Sequence, residues 1–161
     1  MRKIEVVPIS KNYYYDLSVM VGELLAEIME AINEKAFNYN AQETETRARD
    51  LIEKNVYWVF LAFDKVTKKN VGFVSLYESY ALYSEGAYGT IPELYVRPNY
   101  RSENIGKELL DSAMKFAIDR NWRRLEVTTP PLPQFVKTLE FYESNGFVVT
   151  GGRKLKVDIN A

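Results

Sequence analysis

The stretch that decides the fold runs from residue 94 to residue 110 and reads LYVRPNYRSENIGKELL. Its first residues continue an apolar run that begins at Thr90, so we expect a strand here that ends before Pro98. From Ile105 to Ala117 the apolar positions then recur every three or four residues, which predicts a helix that ends near Asn121. The stretch is therefore a strand, a short turn and the first turns of a helix.

The turn at residues 101–107 is suited to hold an anion. The first N–H groups of a helix have no partner inside the helix and carry a partial positive charge, so a pyrophosphate can bind there. Gly106 lets the backbone approach such a group closely. Taken alone, the same residues also fit an ordinary helix start that contains one glycine.

The segments before this stretch alternate between helical and strand-like patterns. Ile and Val residues before Pro8 predict a first strand, and apolar positions from Leu17 to Ile32 predict a helix whose four glutamates face outward. A charged segment with a narrow apolar stripe predicts a second helix over residues 41–54. Two antiparallel strands follow at residues 56–63 and 71–77, and a tyrosine-rich loop at residues 80–89 leads into the strand that contains residues 90–96.

After the central helix, the pattern predicts a strand over residues 124–128, a short helix from Phe135 to Tyr142, and a closing hairpin of residues 147–149 and 155–159 around Gly151-Gly152. The expected fold is an α/β domain over residues 1–161. Its sheet is mixed and mostly antiparallel, has about seven strands, and carries helices on both faces.

Composition excludes several classes of function. The 161 residues contain 21 Lys and Arg against 22 Asp and Glu, so the basic excess of a nucleic-acid-binding protein is missing. The chain has no Cys and no His, which excludes disulfides, thiol nucleophiles, Ser-His-Asp triads and His-ligated zinc, and we expect no metal site. Proton transfer must therefore use Glu, Asp, Lys, Tyr, water or backbone groups. No apolar run is long enough to span a membrane, which favours a cytoplasmic location.

The stretch at residues 94–110 resembles the acyl-CoA-binding segment of the GNAT N-acetyltransferase superfamily, and the element order is also similar. That family has the pattern R/Q-x-x-G-x-G/A after its fourth strand, and Arg101-Ser102-Glu103-Asn104-Ile105-Gly106 matches it except at Asn104. A second segment, Phe141-Tyr142-Glu143-Ser144-Asn145-Gly146-Phe147, resembles the family's later helix-to-strand junction. Together the two segments imply an acetyl-CoA-dependent N-acetyltransferase with a GNAT-like acyl-CoA N-acyltransferase fold.

The resemblance implies site residues. Tyr142 matches the tyrosine that protonates the leaving CoA thiolate, and Glu93 resembles an acidic residue that takes a proton from the acceptor amine. Glu78, Glu85 or water are alternatives for the base, and an aromatic packed on a helix face is the alternative for Tyr142. The residues that match the family's cofactor site are Leu94, Tyr95, Val96, Arg101, Ser102, Glu103, Asn104, Ile105, Gly106 and Lys107.

Two departures from the family pattern weaken the expected cofactor site. Asn104 replaces a glycine, and although Asn tolerates a left-handed backbone, it adds bulk. Phe135 replaces an asparagine that helps to hold the cofactor in many relatives. A non-catalytic acyl-CoA-binding or sensor protein of the same fold is therefore the alternative function.

We expect an amine-bearing small molecule or peptide as the acceptor, and the tyrosines and glutamates between residues 77 and 93 suit a cationic amine. The resemblance also makes a homodimer possible, because homodimers are common among relatives.

Overall fold

The structure is a computed structural model that describes residues 2–160, and within them the chain forms six strands and four helices. In chain order these elements are β1 (Ile4–Pro8), α1 (Tyr14–Ile32), α2 (Ala41–Glu53), β2 (Trp58–Asp64), β3 (Lys69–Ser79), β4 (Tyr88–Ile91), β5 (Leu94–Val96), α3 (Ile105–Asp119), β6 (Leu125–Val127) and α4 (Val136–Ser144). One unit extends to Thr128 and contains the sheet with α1, α2 and α3, and a second unit begins at Thr129 and contains α4.

The sheet is mixed and mostly antiparallel, as the sequence predicts. Its strands follow the order β1-β2-β3-β4-β6, and β5 also pairs with β3. All pairings are antiparallel except that of β4 with β6, which is parallel and runs from Gly89 opposite Leu125 to Ile91 opposite Val127. β6 therefore contacts the sheet beside β4, whereas β5 is hydrogen-bonded through β3 alone.

Helices cover both faces of this sheet because side chains alternate along its strands. On one face, Leu17 and Met20 of α1 pack against Val59, Phe73 and other buried residues of the strands. On the opposite face, Phe116 of α3 lies 5.2 Å from the Trp58 ring and 5.8 Å from the Phe60 ring. The prediction of helices on both faces is confirmed.

The strand predicted over residues 90–96 is interrupted at its centre. It forms two short strands, β4 and β5, that are separated by Pro92 and Glu93. Proline has no N–H to give to a sheet. The N–H of Glu93 donates to the Ser75 hydroxyl at 3.1 Å instead of continuing a regular ladder. The interruption places Glu93 at the junction of the two strands.

The predicted closing hairpin is not formed. Its two strands are missing, and the division of the strand predicted over residues 90–96 into β4 and β5 adds one, so the described residues form six strands rather than about seven. Residues 147–160 contain no strand, and the side chains of Val148, Leu155, Val157 and Ile159 are exposed. A two-stranded hairpin buries too little apolar surface to be stable by itself, so the alternating pattern of this segment is insufficient to form it.

No helix within residues 2–160 combines the length and the apolar content that a bilayer crossing requires.

Gly72 sets how closely β5 approaches β3. It lies opposite Val96, and a Cβ atom at this position would be 2.6 Å from the backbone oxygen of Tyr95. Because the obstacle is backbone, it cannot rotate away as a side chain would. Only glycine fits here without moving β5.

We expect Gly72→Ala to lower the free energy of unfolding by about 1–3 kcal/mol, since added bulk in a packed interior forces backbone shifts. Urea unfolding followed by circular dichroism measures the change. Gly151→Ala is the matched control, because a Cβ at Gly151 meets no atom within 4 Å. Equal stability of the Gly72→Ala variant and the control would contradict this explanation of the glycine.

Candidate active site

β5 uses only alternate residues to bond to its neighbour. The Ser75 N–H donates to the Glu93 carbonyl at 3.0 Å, and the Arg97 N–H donates to the Val71 carbonyl at 2.9 Å. In an antiparallel pair, the residues that bond to the partner strand alternate with residues whose backbone groups point away from it. Residues 93, 95 and 97 therefore bond to β3, and residues 94 and 96 direct their N–H and C=O groups to the other side.

The outward side of β5 is an unpaired strand edge among the residues that the structure describes, since β5 pairs with β3 only. Of the backbone groups on this edge, the Val96 carbonyl accepts a hydrogen bond from Arg101 Nε at 2.8 Å. The N–H groups of Leu94 and Val96 remain directed outward. Such an edge can bind an extended ligand as an additional strand.

The turn after β5 presents the free end of α3. Asn104 adopts the left-handed conformation at φ 64°, as does Ser102 at φ 65°. Asn104 thus takes the backbone geometry for which glycine is best suited, and its side chain makes no cap hydrogen bond. The first intrahelical bond runs from the Glu108 N–H to the Asn104 carbonyl at 3.0 Å. The N–H groups of Ile105, Gly106 and Lys107 precede it and form the positive end of the helix.

The Arg101 side chain is bound to α1. Its guanidinium donates to both carboxylate oxygens of Glu27, at 3.0 and 2.7 Å, and lies 5.7 Å from the centre of the Tyr95 ring. The hydrogen bonds that Arg101 donates to Glu27 raise the pKa of Arg101 above its usual range. Arg101 therefore ties together α1, the end of β5 and the turn before α3.

A second arginine binds the same helix one turn earlier. Arg97 Nε and Nη2 donate to the two carboxylate oxygens of Glu23 at 3.0 and 3.2 Å. The Tyr95 hydroxyl donates to Glu23 Oε1 at 3.1 Å. Burial, with the nearby Glu23 charge, raises the pKa of Tyr95 to about 12, so this hydroxyl remains a donor. Glu23 and Glu27, which the sequence predicts to face outward from α1, are each 37% exposed and bind these two arginines.

The other charged side chains of the turn also form ion pairs. Glu103 forms an ion pair with Arg2, and the Arg2 guanidinium lies 4.0 Å from the centre of the Tyr100 ring. Lys107 Nζ donates to Asp111 at 2.9 Å, one helical turn further along. The groups that this turn offers to an anion are therefore mainly backbone N–H groups.

Glu93 lies half-buried at the interruption between β4 and β5. The Tyr57 hydroxyl donates to Glu93 Oε1 at 2.5 Å, and the Ser75 hydroxyl donates to the same oxygen. Tyr57 directly precedes β2 and packs against the core cluster beside α1, with its ring stacked 6.4 Å from that of Tyr77. Sequence reasoning identified Glu93 but not Tyr57 or Ser75.

The other two carboxylates considered as a base have different surroundings. Glu78 accepts hydrogen bonds from Tyr80 and, at 2.6 Å, from Trp122 Nε1, and Arg120 lies 3.6 Å from it. These hydrogen bonds lower the pKa of Glu78 below its ordinary value of 4.5, and the hydrogen bond from Tyr80 has the largest effect. Glu85 is a highly exposed partner of Arg123. Both have an arginine partner, whereas the ion pairs of the described residues include none at Glu93, whose carboxylate is bound by the Tyr57 and Ser75 hydroxyls.

Tyr142 lies in the second unit, near the end of α4. Its ring packs edge-on against those of Phe141 and Phe147, at 5.2 and 5.3 Å. The side chain is 5% exposed, and burial raises the pKa of its phenol. The phenol is therefore protonated at neutral pH and has a proton to give. Phe135, which the sequence analysis identifies as a departure from the family's cofactor pattern, is half-buried and immediately precedes α4.

The sequence profile of the acetyltransferase (GNAT) family matches residues 24–147, which include every strand after β1 and all of α3 and α4. The chain belongs to the GNAT family. This confirms the resemblance carried by residues 94–110 and 141–147, because both segments lie inside the match or at its end.

Other GNAT proteins agree with this assignment. An uncharacterised N-acetyltransferase of Archaeoglobus fulgidus is 32% identical over 90 residues, and the match covers 51% of this chain and 60% of that protein. This chain therefore spans less than two thirds of that relative.

Among solved structures, the fold is similar to that of the aminoglycoside N-acetyltransferase AAC(6')-Iy in complex with CoA, with a TM-score of 0.79, 12% identity, and coverage of 100% of this chain and 97% of that one. An acetyltransferase of Trypanosoma brucei gives a TM-score of 0.72 at 20% identity, over 98% of this chain and all of the other. At these identities the likeness shows the fold alone.

The surroundings of Glu78 predict an acid-sensitive contribution to stability. A carboxyl group whose pKa is lowered by folding stabilises the protein above its ordinary pKa, and this contribution is lost as the pH falls through the lowered value. We expect Glu78→Gln to lower the free energy of unfolding by about 1–3 kcal/mol at neutral pH. Between about pH 6 and about pH 3, the free energy of unfolding should fall less in this variant than in the wild type. Urea unfolding at a series of pH values measures both effects.

Glu85→Gln is the control for this measurement, since the Glu85 side chain is 86% exposed. Parallel loss of stability with acid in the wild type and in Glu78→Gln would show that Glu78 contributes nothing to the acid response.

Proposed function

We propose that this chain transfers an acetyl group from acetyl-CoA to a primary amine while both substrates are bound. The observation that carries the proposal is the open edge of β5 next to the free N-terminus of α3, in a chain of the GNAT family. A strand edge and a helix N-terminus suit the two parts of CoA: the amide-containing pantetheine arm and the pyrophosphate.

The cofactor-binding residues divide into backbone and side-chain roles. Leu94 and Val96 offer outward N–H groups, and either one is placed to polarise a thioester carbonyl and then hold the oxyanion that develops on it. Ile105, Gly106 and Lys107 offer N–H groups to the pyrophosphate. Ser102, Glu103 and Asn104 shape the turn, while Arg101 and Tyr95 anchor it to α1 through Glu27 and Glu23.

Proton transfer is assigned to two side chains. Glu93 takes a proton from the acceptor ammonium, directly or through water, and the free amine nitrogen then bonds to the acetyl carbon. When the carbon–sulfur bond breaks, Tyr142 gives its proton to the departing thiolate. The nitrogen loses its second proton to solvent, a proton from solvent restores the Tyr142 phenol, and the products are CoA and an amide. An ordinary phenol and a thiol have pKa values of roughly 10 and 8.5. Burial raises the pKa of Tyr142 above that ordinary value, so its phenol keeps its proton until the thiolate forms.

The acceptor is proposed to be a cationic primary amine of a small molecule or peptide. Tyr77, Tyr80 and Tyr83 are exposed aromatic side chains on or after β3, and aromatic faces attract ammonium groups. Because Glu78 and Glu85 are paired with arginines, Glu93 is the carboxylate of this region that remains to attract a cation.

Acetyl-CoA binding tests the proposed cofactor site. We expect calorimetric titration with acetyl-CoA to give micromolar binding, which Arg101→Ala and Glu27→Gln both weaken by about threefold to tenfold, since each loses the bidentate pair that orders the turn. Glu30→Gln, on the exposed side of α1, is the control. A direct contact of Arg101 with CoA would instead leave Glu27→Gln at wild-type affinity, and no binding by the wild type would contradict the proposed function.

A substitution at Tyr142 separates an enzyme from a non-catalytic binder. Tyr142→Phe removes the proton donor but keeps the ring, so kcat should fall about 100-fold while acetyl-CoA affinity is unchanged. Free CoA release with a panel of amines measures kcat. Tyr15→Phe changes an exposed tyrosine of α1 and serves as the control. A sensor protein would bind acetyl-CoA but release no CoA with any amine, with or without Tyr142.

A further inference from the structure

The Glu93 carboxylate is held asymmetrically. Both recorded side-chain donors, the Tyr57 and Ser75 hydroxyls, bind Oε1. Within the part of the chain that the structure describes, no hydrogen bond reaches Oε2. The two oxygens of the carboxylate therefore have different surroundings. Oε1 accepts two hydrogen bonds from hydroxyl groups, whereas Oε2 is left to accept a proton.

Ser75 binds Glu93 through main chain and side chain together. The Ser75 N–H donates to the Glu93 carbonyl, and the Glu93 N–H donates back to the Ser75 hydroxyl oxygen at 3.1 Å. Ser75 itself is 1% exposed in the middle of β3. A fully buried residue that bonds both the backbone and the carboxylate of Glu93 fixes the position and the rotamer of that side chain.

Tyr57, which directly precedes β2, adds the second constraint. Its ring is packed between the core cluster and Tyr77, so the hydroxyl has little freedom to leave Glu93. Burial raises the pKa of Tyr57 well above its usual range, and the negative charge of Glu93 raises it further. The phenol therefore stays protonated across the working range of an enzyme and can only donate to the carboxylate.

We propose that Tyr57 and Ser75 are positioning residues for the base Glu93, because they occupy Oε1 and leave Oε2 as the atom that accepts the proton of the acceptor amine. This inference rests on the proposed function and adds to it the atom that acts and the residues that orient it. One proton moves from the ammonium to Oε2, directly or through one water, and later returns to solvent; no proton passes through Tyr57 or Ser75.

A double-mutant cycle tests the inference. Tyr57→Phe keeps the packed ring and removes one donor, and it should lower kcat about tenfold while the KM for acetyl-CoA is unchanged, because a misoriented base slows proton transfer without disturbing the cofactor site. In a Glu93→Gln background the same substitution should change kcat by less than about twofold, since there is no longer a base to orient.

Ser75→Ala provides the second arm of the cycle and is expected to behave in the same way. Tyr13→Phe is the matched control: it removes a hydroxyl from another tyrosine that packs against the same core cluster. If Tyr57→Phe lowers kcat equally in the wild type and in the Glu93→Gln variant, Tyr57 has a structural role and the inference is overturned. Wild-type kcat in both the Tyr57→Phe and Ser75→Ala variants would overturn it as well.

A spectroscopic measurement separates failure of this inference from failure of the proposed function. A hydroxyl proton between the Tyr57 oxygen and Glu93 Oε1, 2.5 Å apart, should give a downfield, slowly exchanging NMR signal in the free wild-type protein. The signal should vanish in Tyr57→Phe, shift upfield in Glu93→Gln and persist in Tyr13→Phe. Its absence from the wild type overturns the inference whether or not turnover is found. A signal without turnover on any amine leaves Tyr57 bound to Glu93 but contradicts the proposed function.

Discussion

Hydrogen bonding around Ser75 determines where the candidate groups of the larger unit lie. Pro92 cannot donate to the sheet, and the N–H of Glu93 is bound by the Ser75 hydroxyl rather than by a carbonyl. The chain therefore leaves β4, turns its carboxylate toward Tyr57, and resumes as β5 in register with β3. The same interruption separates the part of the strand that pairs with β6 from the part whose outer edge is open. The candidate base and the candidate thioester site thus have one structural origin.

The cofactor turn is held from the other side by α1. Glu23 and Glu27 lie one helical turn apart, and their partners Arg97 and Arg101 are also four residues apart. Exposed ion pairs of this kind contribute only about 0.2–1 kcal/mol each. Their bidentate geometry has the greater consequence, because a guanidinium that binds both oxygens of a carboxylate fixes orientation as well as distance. The positive end of α3 is thereby oriented without any charged side chain having to face the anion.

Most of the secondary structure was predictable from local patterns. The apolar spacing of α1 and α3, the β-branched runs of β2 and β3, and the left-handed Asn104 all depend on neighbours within a few residues. The errors arose where the outcome depended on distant residues. Alternation alone suggested a hairpin in residues 147–159, but a strand forms only where a partner completes the sheet. The helical periodicity of α1 also does not show that its outward glutamates bind arginines 74 positions away.

The sequence by itself determined the order of the elements and the chemistry open to the chain. The absence of His and Cys leaves Glu, Asp, Lys, Tyr, water and backbone groups for proton transfer, and the turn before α3 has the pattern expected of an anion-binding helix start. Only the tertiary structure decided which carboxylate stands apart from the arginines, which oxygen of it is free, and which backbone groups of β5 face outward. The physical reason is that pairing is a property of residues brought together from separate strands and helices, whereas periodicity records only which face of its own element a residue occupies.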